Sequence, residues 1–155
     1  MGTRSLTRVI ETWNDEKTNK LKKQTLVCMY RQMDGYPSGM GSDLAEFLNG
    51  GKLVNGLSLA ETKRVFNGMK CLAAEMVAHF KDGAGGYYLY PTNTKDAWQN
   101  YEYEIIQHED EPIQLKVIEV GYMNKGKYCK GKKTLFIGSP KGFESWLQLS
   151  ETIEG

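Results

Sequence analysis

The sequence predicts an α+β domain. It expects an antiparallel sheet opened by an N-terminal hairpin, one short and one long helix packed on one face, and a short C-terminal helix. Three observations carry this. Residues 4–33 hold two strand-like runs around a turn pair, residues 59–80 repeat apolar side chains every three or four positions, and from residue 87 apolar and polar residues alternate. A chain of 155 residues fits a single domain spanning 1–155. At that size it should bury roughly two thirds of its unfolded surface and fold without a disulfide or metal.

The first run, RSLTRVIETW (4–13), is rich in β-branched residues and stops at Asn14-Asp15. The charged stretch EKTNKLKK then leads to QTLVCMYRQM, which makes residues 4–33 a long-looped hairpin; a helix over residues 5–19 is the rival reading. A glycine-rich loop delivers a short helix at Asp43–Leu48, closed by Asn49-Gly50-Gly51. Ser58 and Glu61 have capping-box spacing. Behind them Val65, Phe66, Met69, Leu72, Met76 and Phe80 recur at helical spacing, predicting an amphipathic helix over 59–80 whose apolar stripe packs on the core.

Gly83–Gly86 ends that helix, and YYLYP follows as a strand. Residues 98–106 and 113–120 then alternate: Tyr101, Tyr103 and Ile105 lie opposite Glu102 and Glu104, and Ile113, Leu115 and Val117 lie opposite Gln114 and Lys116. QHEDEP between them reads as an acidic hairpin loop, GYMNKGKYCKGKK as a turn-rich connection, TLFIG as a last strand and FESWLQL as the closing helix.

Twenty Lys+Arg against 19 Asp+Glu leave a net charge of +1, so no global field draws in nucleic acid or an anionic membrane. Only four of the basic residues are arginines, which also argues against a broad phosphate-binding surface. No run approaches the ~18 apolar residues of a membrane span. Cys28, Cys71 and Cys129 are odd in number and widely spaced, as free thiols in a reducing compartment are; the expected location is cytoplasmic.

The chemistry concentrates at YRQMDGYPSGMG (30–41). Pro37 fixes φ, while Gly35, Gly39 and Gly41 permit positive φ and close backbone approach. A strand, a glycine loop and a helix in that order expose backbone N–H groups at the positive end of a helix, which suits a phosphate. Arg31 offers a forked contact, Tyr30 and Tyr36 can stack on a ring, Asp34 can accept from a ribose or base, and Ser42 opens the helix. The spacing fits neither G-x-x-x-x-G-K-[ST] nor G-x-G-x-x-G. The alternative is a tight turn that lets the helix pack on the sheet.

This Y-R-x-x-D-G-Y-P-x-G-x-G segment, sharp over residues 30–48, resembles one found in small uncharacterised proteins of bacteria and their phages. The resemblance implies an architecture with an N-terminal hairpin and no assigned activity. Where those proteins often carry His or Tyr, this chain has Gln32-Met33, which leaves no general base there.

The resulting expectation is non-catalytic binding of an anionic, phosphorylated and nucleotide-derived small molecule at Tyr30, Arg31, Asp34, Gly35, Tyr36, Gly39, Gly41 and Ser42, in the manner of a phage accessory protein that captures a nucleotide signal. No cofactor is expected. The competing expectation is a protein-interaction or homodimeric module in which the loop is only a turn and Tyr87, Tyr88, Tyr90, Tyr101 and Tyr103 supply the contact surface, since tyrosine is enriched at interfaces. His79 falls on the apolar flank of the long helix and reads as a satisfied core or boundary histidine, and His108-Glu109-Asp110-Glu111 reads as a solvated turn. Lys125, Lys127, Lys130, Lys132 and Lys133, with Tyr122 and Tyr128 between them, form the one local basic cluster.

Overall fold

The computed structural model describes residues 2–54 and 65–154. Its main sheet has six strands: β1 (Ser5–Asn14), β2 (Leu21–Arg31), β5 (Tyr87–Tyr90), β6 (Tyr101–His108), β7 (Gln114–Asn124) and β8 (Lys127–Gly138), in the order β5-β2-β1-β6-β7-β8. Two short strands, β3 (Lys52–Val54) and β4 (Val65–Asn67), pair in parallel apart from it. The helices are α1 (Ser42–Asn49), α2 (Gly68–Phe80) and α3 (Pro140–Glu154).

The N-terminal hairpin is as expected, with β1 antiparallel to β2. Its connection is tied by Asp15, whose carboxylate accepts from the Thr18 hydroxyl at 2.7 Å, and by Asn19 in the left-handed region. The sheet is mostly antiparallel, but β1 also runs parallel to β6, with Ser5 opposite Tyr101 and Thr12 opposite His108. Alternation within a strand says which side chains share a face and nothing about the direction of a neighbour ninety residues away, so the sequence did not announce this pairing.

The alternation itself is reproduced. Tyr103, Ile105, Leu115 and Val117 are fully buried and join Val9, Met29, Leu44, Leu72, Met76 and Phe143 in one core beneath the helices. On the second face of the sheet, Ala97 of the segment 91–100 packs with Leu6, Cys28 and Tyr30 in a small cluster. Residues 98–100 belong to this segment, and the strand expected from 98 begins at Tyr101.

Two other expectations shift. The helix expected over 59–80 occupies Gly68–Phe80; residues 65–67 are strand, and Ser58, Glu61 and the rest of 55–64 lie outside the described residues. Gly68, with φ +82°, lies outside helical dihedrals at the boundary, and Phe66 drives into the core against Phe47, so helical spacing there reflected burial. GYMNKGKYCKGKK is not a loose connection but a long hairpin. Lys125 and Gly126 both have positive φ (51° and 80°), forming the two-residue turn whose twist matches paired strands.

Candidate functional site

The loop after β2 is built by close packing. A Cβ on Gly35 would come within 2.7 Å of the Arg4 carbonyl carbon, and one on Gly41 within 2.6 Å of the Phe143 ring. One on Gly39 would collide with the Asp34 carbonyl oxygen. None of the three has positive φ; the left-handed residue is Asp34, at φ +58°. The glycines therefore serve approach between segments, and the chain reversal falls to an aspartate, which tolerates that conformation better than most side chains.

The loop's backbone groups turn inward as well. Gly35 N–H donates to Thr3 O, Gly39 N–H to Tyr36 O and Met40 N–H to Asp34 O, each at 2.9 Å. Residues Pro37–Gly41 form a single π-helical turn leading into α1, and the Ser42 N–H donates back to carbonyls of that turn. Gly35 O accepts a 2.6 Å bond from the Tyr103 hydroxyl. Burial pushes that hydroxyl far above its ordinary range, so it stays protonated and fixes the loop to β6.

Arg31 has protein partners. Its Nη1 donates to Asp43 Oδ2 at 2.7 Å, its Nε donates to Met33 O at 2.7 Å, and its guanidinium lies 5.5 Å from the centre of the Tyr87 ring. Asp34 accepts from the exposed Tyr36 hydroxyl at 3.1 Å, a bond that raises the Tyr36 pKa. At the mouth of the loop the guanidinium is thus paired with Asp43, and the Asp34 carboxylate is engaged by Tyr36. Tyr30 is not brought to this site: it lies on the opposite face of the sheet, stacked on Tyr90 at 5.2 Å and tilted against Tyr88 at 6.1 Å.

The lysine cluster is distributed along the β7–β8 hairpin at the far edge of the sheet, with β1, β6 and β7 between β8 and β2. Lys133 lies over Tyr122 at 5.8 Å. Lys132 turns to the second face, where its Nζ is 2.8 Å from Glu102 Oε2.

That contact belongs to a buried network which sequence reasoning did not find. Arg8 Nη1 meets Glu102 Oε1 at 2.5 Å, Arg8 Nη2 donates to Thr94 O, and Gln99 Nε2 donates to Glu102 Oε2 and to Lys95 O. Burial is the largest influence on Glu102 and opposes ionisation. Bonds from Lys132, Arg8 and Gln99 outweigh it together and hold the carboxyl below its usual range. Burial also pushes up the Cys28 thiol beside this network. The only available signal was that Arg8 and Glu102 fall on polar positions of two apolar strands.

The network latches segment 91–100 onto the sheet and fixes Trp98. That residue has φ +63°, its N–H donates to Asp96 Oδ1 at 2.9 Å, and 82% of its surface is exposed. Nearby in sequence, Tyr88, Leu89 and Tyr90 of β5 are also exposed, whereas Tyr103 is buried and Tyr87 and Tyr101 are half-buried. His79, expected in the core or at its boundary, is instead exposed, with its ring against Phe47 and Phe80. His108 hydrogen-bonds the Thr12 hydroxyl at 2.7 Å. No helix among the described residues is long and apolar enough to cross a membrane. In comparisons with known proteins the chain matches no family model, no curated protein and no solved structure.

Proposed function

We propose that this chain is a non-catalytic protein-interaction module, in which the glycine loop is a structural strut and the contact surface is β5 with Trp98. The observation that carries this reading is the exposure of Trp98, Tyr88, Leu89 and Tyr90 on backbone that is itself held in place. Rigid aromatic side chains presented to solvent lose little entropy on contact and dominate interface energetics. The loop geometry supports the same reading from the other side. Its glycines make room for protein atoms, its N–H groups at Gly35, Gly39, Met40 and Ser42 are bonded, and Arg31 is paired with Asp43.

Thermal stability across a panel of nucleotides, cyclic nucleotides, dinucleotides and inorganic phosphate tests the assignment. A ligand present at a hundred times its dissociation constant stabilises the fold by about 2.7 kcal/mol, so a real ligand in the panel would be visible. The expected result is a flat panel. Stabilisation by one member that disappears in Arg31→Ala would overturn the reading and place an anionic, nucleotide-derived ligand at the loop.

A further inference from the structure

We propose that the partner at β5 is a second copy of this chain, joined through a two-fold contact centred on Leu89 that makes one continuous sheet of two. This deepens the interaction-module reading and rests on it.

The argument begins with which backbone groups of β5 remain open. Gln32 N–H donates to Gly86 O at 2.9 Å, which sets the phase of the β2–β5 ladder. Gly86, Tyr88 and Tyr90 turn their backbone groups toward β2, and Tyr87 and Leu89 turn theirs outward. Tyr87 is closed off locally. Its N–H donates to Gly85 O at 2.8 Å, and its carbonyl accepts from Lys81 Nζ at 2.9 Å. The next residue after the strand is Pro91, which has no N–H. Among the described residues, Leu89 is left as the one residue of β5 whose outward donor and acceptor are both open.

One open donor and one open acceptor on the same residue are what a hydrogen-bonded antiparallel pair requires of each member. A two-fold axis normal to the sheet keeps each face of one copy continuous with the same face of the other, so residues of equal parity must pair. Leu89 opposite Leu89 satisfies this and exchanges two N–H···O bonds. The same register sets Tyr88 opposite Tyr90 of the second copy, an aromatic cross-strand pair on the second face. It also sets Tyr87, whose carbonyl Lys81 already caps, opposite Pro91, which has no donor to offer it. On the helix side the two Leu89 side chains meet beside a cavity of about 180 Å³ lined by Met29, Val77, Lys81 and Tyr87.

Charge selects the same edge. β5 has no charged side chain, whereas β8, the opposite edge, carries Lys127, Lys130, Lys132 and Lys133. Two copies approaching through β8 would meet with like charges, the usual device against edge-to-edge pairing.

Sedimentation velocity from micromolar to millimolar protein, with amide hydrogen exchange at each concentration, tests the proposal. The expected result is a monomer–dimer equilibrium in which exchange of the Leu89 amide slows as concentration rises while that of Lys133 does not. Leu89→Pro, which removes the outward N–H while leaving every N–H that bonds to β2, should weaken association about tenfold or more, and Leu89→Met should preserve it. The exchange measurement needs no variant and stands if Leu89→Pro does not fold. A dimer indifferent to Leu89→Pro, or one that leaves Leu89 exchange unchanged, would overturn the proposal. A chain monomeric throughout would overturn the second copy as partner while leaving the interaction-module reading, tested by its own flat panel, in place.

Discussion

On the helix side of the sheet, Tyr103, Ile105, Leu115 and Val117 share a core with Leu44, Leu72, Met76 and Phe143, and none of them reaches solvent. On the other side the same sheet presents Arg8, Glu102 and Lys132, and the irregular segment 91–100 is latched over them by ions and hydrogen bonds. Apolar packing closes the first face and is indifferent to pH. Charge complementarity closes the second, and it holds only while each charge keeps its partner. This contrast locates the contact surface: among the described residues the helix face leaves Leu89 of β5 and Leu149 of α3 exposed, whereas the ten-residue segment on the other face leaves Trp98 and the β5 tyrosines exposed at its margin.

The largest effect should come from breaking the ionic face. Glu102→Ala leaves Arg8 buried without its carboxylate and is expected to cost about 3–5 kcal/mol in chemical denaturation. Because the Glu102 carboxyl titrates below its unfolded value of 4.5, its contribution is complete above that pH and is lost as pH falls through the lower folded value. Glu102→Gln should therefore flatten the acid limb of the stability profile, and an unchanged limb would remove Glu102 from this role. An intermediate effect belongs to Arg31→Ala. The Asp43 pair is partly solvated, with the arginine side chain 15% and the aspartate 45% exposed, so a loss of about 1–3 kcal/mol without any ligand is expected. A fold indifferent to this change would mean that the loop does not depend on the pair.

The smallest effect probes the apolar face. Thr7 lies there with its hydroxyl buried and without a hydrogen-bond partner among the described residues. Thr7→Val keeps the shape and removes an unsatisfied group, so it should raise stability by up to about 1 kcal/mol. A loss instead would show that the hydroxyl has a partner, such as a buried water, and that this face is not uniformly dry.

The parts of this fold that follow local rules were legible. Alternation separated Tyr103 and Ile105 from Glu102 and Glu104 correctly, and Asn14-Asp15 ended the first strand within a residue of its observed limit. Long-range neighbours were not legible. The Arg8–Glu102 pair joins residues whose strands meet only through the parallel β1–β6 ladder, so an arginine and a glutamate on strand faces could not be matched in advance. The glycine loop was half legible. Its close approaches were expected, but what approached was Arg4, Tyr36 and Phe143, and the carboxylate that Arg31 met was Asp43 on α1.

The β1–β6 ladder also orders events in time. The β1–β2 hairpin can close as soon as residue 31 is available, but the other edge of β1 waits for residues 101–108. During synthesis at ~5–20 residues per second, β1 therefore stands for several seconds as a free edge rich in β-branched residues. Contacts of such sequence separation also slow the final closure. Arg8, which later meets Glu102, lies midway along that waiting strand, where a charge discourages pairing with the wrong chain.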